Sequence, residues 1–266
     1  MIRIAVLMTC FNRKDKTMKS LSCLFNQNMP VDVYLVDDGS NDGTGDAIKK
    51  KFPEVNVING DGSLFWNRGM HRAWEVAEQY DYDFYLWLND DTYIYDYALN
   101  MMLEASKQFA YKALIVGASC ESSDNLKTSF GADYKGLPVI PNGEVMQCDS
   151  FGGNFVLVPK IIYLKCGKLD PYYRHSLGDI DYAKTVLKNG FNIYLAPMHI
   201  GECENDSKIA GWKDFTKPFR ERYKILHSPL SYSIPKEFFY FYRKHSNIFI
   251  AILHWLSIYS KLFIKR

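Results

Sequence analysis

The stretch that most constrains this chain is Phe84-Tyr-Leu-Trp-Leu-Asn-Asp-Asp-Thr92. Its mostly apolar run, Phe84 to Leu88, reads as a buried strand and leads directly into Asn89, Asp90 and Asp91. Carboxylates crowded at the end of a buried strand repel one another unless a cation, a proton or a hydrogen-bond donor compensates. In open α/β sheets, ligands sit outside the carboxyl ends of the strands, where these acids fall. Hard oxygen donors suit Mg²⁺ or Mn²⁺, which take one or two carboxylates and fill their remaining positions with substrate phosphates and water. The same residues also fit a strand followed by an Asx-turn, with Asp91 or Thr92 capping the next helix.

The surrounding pattern supports a sheet of that kind. Strand patterns at Ile2–Met8, Val31–Asp37, Glu54–Asn59, Phe84–Leu88 and Ala113–Ala118 alternate with helix patterns at Asp15–Asn26, after the Asp38–Thr44 turn to about Lys51, and at Asn67–Gln79 and Tyr95–Phe109. That alternation predicts βαβ units and a largely parallel, covered sheet. Residues 119–150 are rich in Gly, Pro, Asn and Asp and read as irregular β-structure. Phe151–Val158 follows, then a short helix at Lys160–Cys166, a helix at Asp179–Asn189 and a last strand at Phe191–Ala196. One domain is expected over 1–205 and a helical extension over 206–266. In the extension, Ile248, Ile252, Trp255, Leu256, Tyr259 and Phe263 form an apolar face. Asn247, His254, Ser257, Lys261 and Lys265 form a polar one, and Arg243, Lys244 and Arg266 add charge. This pattern predicts an amphipathic helix lying on an anionic membrane surface or packed on protein, not a spanning one.

Composition removes several classes. A 47% hydrophobic, 15% aromatic chain of 266 residues has ample material for a core, which excludes disorder. A net charge of +2 gives no global case for nucleic-acid binding. The six cysteines form no CxxC pair, and Met1–Met8 is too short for a signal h-region, so free thiols in the cytoplasm are expected.

Four other features bear on chemistry. The turns Thr9-Cys-Phe-Asn-Arg13 and Asp37-Asp-Gly-Ser-Asn-Asp-Gly-Thr44 close two parallel strands on the edge that carries Asp90 and Asp91. An acid there can accept from a base N–H or a ribose hydroxyl, and a Gly-rich helix-capping turn explains the same residues. In Gly60-Asp-Gly-Ser-Leu-Phe-Trp-Asn-Arg-Gly-Met70, Trp66 offers a stacking face and Arg68 a phosphate partner, although a loop with a capped helix also fits. Gly178-Asp-Ile-Asp181 opens a helix, where one acid can cap while the other serves as general base. His199, just past the last expected strand, is either structural or an additional metal ligand.

Taken in order, TCFNR, VDDGSNDGT, LNDDT, GGN and GDIDYAKTVLKNG resemble a family 2 glycosyltransferase with the GT-A fold, over roughly residues 1–200. LNDDT and GDGSLFW look more like the bacterial polysaccharide, rhamnosyltransferase-like branch than the processive synthases. The resemblance implies that Asp38 holds the nucleotide base or ribose, with Thr9 and Phe11 lining the same pocket. Asn12, Gly39, Asp61, Trp66, Asn67, Arg68 and Asp90 would complete the donor side. Asp91 would bind a divalent Mg or Mn ion bridging the donor diphosphate, with Asn89 and His199 beside it. Asp179 would be the catalytic base, and Gly152, Gly153, Asn154 and Asp181 would face the acceptor. The sequence departs from the family pattern at Asn89, which stands for the first acid of the DxD motif, and at Gly178, which stands for the glutamate before the catalytic aspartate. The resemblance implies an inverting transferase using a UDP- or dTDP-sugar. Its acceptor would be a saccharide or lipid-linked saccharide, in capsule or O-antigen assembly, with the enzyme peripheral at the inner face of the cytoplasmic membrane. A sugar-nucleotide-forming nucleotidyltransferase and a catalytically inactive nucleotide-binding scaffold remain alternatives.

Overall fold

The computed structural model describes residues 2–204 and 211–264. The expected boundary at 205/206, and Lys265 and Arg266, lie outside the described residues. The chain builds a mixed α/β sheet, mostly parallel and flanked by helices. Its spatial order is β10 (Met146–Cys148), β13 (Asn192–Glu202), β6 (Ala113–Glu121), β12 (Phe155–Pro159), β4 (Phe84–Leu88), β1 (Ile4–Cys10), β2 (Asp32–Asp37) and β3 (Asn56–Asn59). β1 pairs parallel with both β2 and β4, β2 with β3, and β6 with β13. β12 runs antiparallel between β4 and β6.

Period-two alternation divides the apolar residues between two cores. Ile4, Val6 and Met8 of β1, with Phe84, Leu86 and Leu88 of β4, enter the core on one face. Ala5, Leu7, Tyr85 and Trp87 enter the other. Both faces are therefore covered, which is why these strands read as continuous apolar runs. The covering helices include α1 (Lys14–Phe25) and α4 (Ala98–Lys107) on the first face, and α3 (Phe65–Ala77) and α6 (Gly178–Lys188) on the second.

The expected and observed elements differ in three places. β13 does not end at Ala196 but continues to Glu202 and so contains His199. Register shifts between Leu195 and His199, and again before Gly201, absorb Pro197 and Gly201, which read as strand breakers. A two-residue strand, β5 (Tyr93–Ile94), pairs with the end of β13, and the helix expected from Tyr95 begins only at Ala98. Residues 124–151 add β7 (Asp124–Phe130) to the edge of β6. They also form a separate small sheet of β8 (Ala132–Tyr134), β9 (Leu137–Val139) and β11 (Ser150–Phe151).

Beyond the sheet come α5 (Lys160–Cys166), a 3₁₀ turn at Gly211–Lys213, and three helices: α7 (Phe219–His227), α8 (Pro235–His245) and α9 (Ile248–Ser260). Among the described residues, no helix is long and apolar enough to cross a membrane. All six cysteines are free.

Candidate functional site at the carboxyl edge of the sheet

Parallel pairing brings the ends of β1, β2 and β4 to one edge, and antiparallel β12 brings its beginning there. Asn89 N donates to Asn154 O at 3.0 Å, which ties the two turns that flank the edge. The turns after β1 and β2 are stapled by Asn12, a non-glycine residue with φ of 50°. Its amide donates to Ser40 Oγ (2.9 Å) and its Oδ1 accepts from Asn41 N (2.8 Å).

The acids at the end of β4 are compensated by Arg13. One guanidinium nitrogen donates to Asp90 Oδ1 at 3.1 Å and to Asp91 Oδ2 at 2.7 Å. Burial, and then the charge of Asp91, still push Asp90 up to about 7, with Arg13 pulling the other way. Asp91 retains a second oxygen whose neighbour is the Cys203 thiol, 3.8 Å away. His175 lies within electrostatic reach of the same Arg13, and burial followed by that cation holds it below its usual range. Sequence alone assigned Arg13 no role. Its cue was a cation just past a strand end that faces an acidic one.

From Asn89 a second chain of contacts leads to Asp179. Trp66 Nε1 donates to Asn89 Oδ1 at 2.7 Å. The far edge of the Trp66 ring lies against Gly153, where an added Cβ would come within 2.5 Å of it. Gly153 N donates to Asp179 Oδ2 at 3.1 Å, and Ile180 N donates to Asp179 Oδ1 at 2.9 Å. Burial raises the Asp179 pKa against these backbone donors. A carboxylate in the first turn of a helix, fixed at both oxygens and made more basic by its surroundings, is suited to accept a proton.

Other expected residues are engaged elsewhere. Asp38 is buried, and its oxygens accept from the amides of Gly62 (2.9 Å), Leu64 (3.0 Å) and Phe65 (2.9 Å), so it shapes the 60–65 loop. Gly39, at φ of 78°, packs against that loop, while Asp61 accepts from Ser63 N and Oγ. Thr9 is buried against Gly69, and Phe11 is half exposed. Asn67 donates to Asp170 O and Tyr173 O, and Arg68 Nε to Pro171 O. Both side chains thus hold the 170–174 loop. Gly152 donates its amide to Gly131 O, and Asn154 Nδ2 donates to Cys203 Sγ. Asp181, expected near the acceptor, is buried and accepts from Tyr173 OH, Lys244 Nζ and His245 Nε2, each at 2.8 Å. His199 lies inside β13 with its Nε2 2.8 Å from Thr128 Oγ1.

For a divalent cation, Asp91 offers the carboxylate oxygen that Arg13 does not bind. Asn89 Oδ1 is taken by Trp66 and the His199 ring by Thr128. Among the described residues, no three His, Cys, Asp or Glu side chains converge as a metal site. The donor set therefore fits an ion held by Asp91 and completed by substrate phosphates and water, as is usual for Mg²⁺.

The family model described as Glycosyl transferase family 2 matches residues 5–153 of this chain. No curated protein matches it. Among solved structures, S. aureus TarS superposes with a TM-score of 0.59 at 15% identity, covering 92% of this chain and 43% of that one. This chain thus spans less than half of TarS. S. aureus TarS 1–349 in complex with UDP matches at 0.59 and 14% identity (92% and 72% covered), and in complex with UDP-GlcNAc at 0.55 and 15% (87% and 68%). At these identities the likeness is one of fold.

Proposed function

The chain belongs to glycosyl transferase family 2 and is a glycosyltransferase, and from that premise we propose that it is an inverting enzyme using a UDP- or dTDP-sugar donor. Its acceptor is a saccharide, carried on a lipid, in the assembly of a bacterial surface polysaccharide such as capsule or O-antigen. The observation that carries the reading is that the Asn89–Asp91 turn, which Arg13 binds at Asp91, is linked from Asn89 through Trp66 and Gly153 to Asp179. This linkage supports a phosphate side and a base at one sheet edge. The UDP and UDP-GlcNAc complexes of TarS, a protein of like fold, support a nucleotide-sugar donor.

Asp179 takes the proton of the acceptor hydroxyl as that oxygen attacks the anomeric carbon. The bond from that carbon to the diphosphate oxygen breaks on the opposite face, and its electron pair leaves with the diphosphate. Gly153 N and Ile180 N orient the Asp179 carboxylate, and burial keeps it basic. Arg13, beside Asp90 and Asp91, would neutralise the negative charge that develops on the leaving group. Asp91 would hold Mg²⁺ or Mn²⁺, which would supply further neutralisation of the diphosphate. A lipid-linked acceptor places the enzyme at the inner face of the cytoplasmic membrane.

The test is a thermal-shift panel of UDP, dTDP, GDP and CDP with and without Mn²⁺ or Mg²⁺. A ligand that binds the folded state alone raises the melting temperature. A shift with UDP or dTDP that grows with metal is expected. No shift with any nucleotide contradicts the donor assignment, and binding without transfer in an acceptor assay points to an inactive scaffold.

A further inference from the structure

The helical segment 211–264 differs in charge from the sheet it packs on. Residues 1–204 carry 20 basic and 26 acidic side chains, whereas 211–264 carry nine basic and three acidic. The same segment exposes a line of large apolar side chains. α9 buries Ala251 and Ile258, and the following turn buries Leu262. At 100° per residue these three share one edge of the helix. The opposite edge carries Phe249, Leu253, Leu256 and Phe263, which are 76%, 65%, 51% and 71% exposed. This differs from the expected amphipathic wheel, because α9 is apolar on both edges and His254 stacks on Tyr242 of α8 with ring centroids 3.6 Å apart.

The exposed line continues onto α7, where the Phe219 ring lies 5.3 Å from that of Phe263. Phe219 and Tyr223 share a shallow groove with Arg220 and Lys224. Neither cation forms an ion pair among the described residues. A contiguous exposed apolar line of this kind marks an interaction surface. Charge selects the occupant. A second copy would set two strongly basic segments against each other, whereas an anionic bilayer accepts both the apolar edge and the cations beside it. The 13 residues of α9 are too few to span a bilayer, so the helix lies in its plane.

We propose that α7 and α9 dock this chain on an anionic phospholipid bilayer. Phe249, Leu253, Leu256 and Phe263 enter the acyl boundary, and Arg220 and Lys224 meet lipid phosphates. α8 joins this surface to the site. It stacks on α9 through Tyr242 and holds α6, the helix bearing Asp179, through Lys244 and His245 on Asp181. The use of the surface, meeting a lipid-linked acceptor, rests on the function proposed above. The binding itself does not, and it is read without donor or acceptor.

The experiment is flotation of the full chain with vesicles of phosphatidylglycerol and phosphatidylethanolamine, against vesicles of phosphatidylcholine. The chain is expected to float with the anionic vesicles, at least tenfold less with the neutral ones, and less as salt rises. Phe249→Glu with Leu253→Glu should lower partition at least tenfold at an unchanged melting temperature, because both side chains are exposed. Arg220→Glu with Lys224→Glu should weaken binding and flatten its salt dependence. Absence of flotation, equal binding to neutral vesicles, or wild-type partition of either double variant overturns the proposal. So does a wild-type dimer in light scattering that Phe249→Glu with Leu253→Glu dissociates, since a second copy would then be the occupant.

Discussion

Gly178 lies so close to Asn67 that a methyl group added to the glycine would overlap Asn67 Oδ1. Asn67 cannot move aside easily. Its backbone amide donates to Arg174 O, its Nδ2 donates to Asp170 O and Tyr173 O, and it is fully buried. This contact accounts for the glycine where the family pattern has glutamate, since the volume is already filled by another side chain. Gly178→Ala is expected to destabilise the protein by about 1–3 kcal/mol through overpacking. Asn67→Ala in the same chain should recover part of that loss. Urea unfolding of the two single variants and the double variant measures it, and additive losses would contradict the packing argument.

Asp90 makes stability depend on pH. Its folded pKa of about 7 lies above the ordinary value of 3.8, so the folded state holds a proton that the unfolded state has released. The stabilisation from that proton is complete below the ordinary carboxylate range and is lost as pH rises through about 7. Asp90→Asn removes the dependence. Relative to wild type, the variant should gain about 2 kcal/mol between pH 5 and pH 8, because each tenfold change in proton affinity is worth about 1.4 kcal/mol. Urea melts at the two pH values in EDTA test this. Parallel pH dependence of the two proteins would contradict it.

The segment beyond the sheet is expected to be part of the catalytic unit. Asp181 is buried among Tyr173, Lys244 and His245, and Glu237 of α8, also buried, accepts from Arg174 Nε at 3.2 Å. Removing one partner of a buried ionic group costs about 3–5 kcal/mol when it leaves the other charge uncompensated. His245→Ala leaves Lys244 and Tyr173 in place, so about 1–3 kcal/mol is expected. A chain cut before α8 should melt well below the full one. An intact melting temperature after that cut would mean that α8 is an independent appendage.

The sheet was legible because strands buried on both faces leave unbroken apolar runs, and the acids after Leu88 marked its working edge. The motifs singled out Asp179 and Asp91 as candidates. Contacts made across the fold were not. Asp181 meets Lys244 and His245 more than 60 residues away, and Trp66 reaches Asn89 across the site. Nothing local distinguishes a carboxylate that projects into a cleft from one locked under another helix. His199 was expected just past the last strand, whereas bulged pairing with β6 carries that strand through it.

The side-chain amide of Asn89 is held by one donor, the Trp66 indole. Trp66→Phe removes that donor together with the Cζ2–Cη2 edge of the indole that lies against Gly153, and the hydrogen bond alone is worth about 1 kcal/mol. The larger expected effect is on catalysis, because Trp66 spans the interval between the Asp91 turn and the Asp179 carboxylate. Turnover should fall under conditions in which urea unfolding shows the variant still folded. An unchanged rate would mean that the contact serves packing alone.

The central claim is that Asp179 is the base, and Asp179→Asn tests it most directly. Nucleotide release from UDP- or dTDP-sugar, with a saccharide or water as acceptor, is measured beside nucleotide binding by thermal shift. The account predicts turnover lower by about 10²–10⁴-fold with binding retained within a few-fold. It also predicts a wild-type rate that falls on the acid side through a pKa above the usual carboxylate range, as burial of Asp179 requires. Near-wild-type turnover in Asp179→Asn would contradict it.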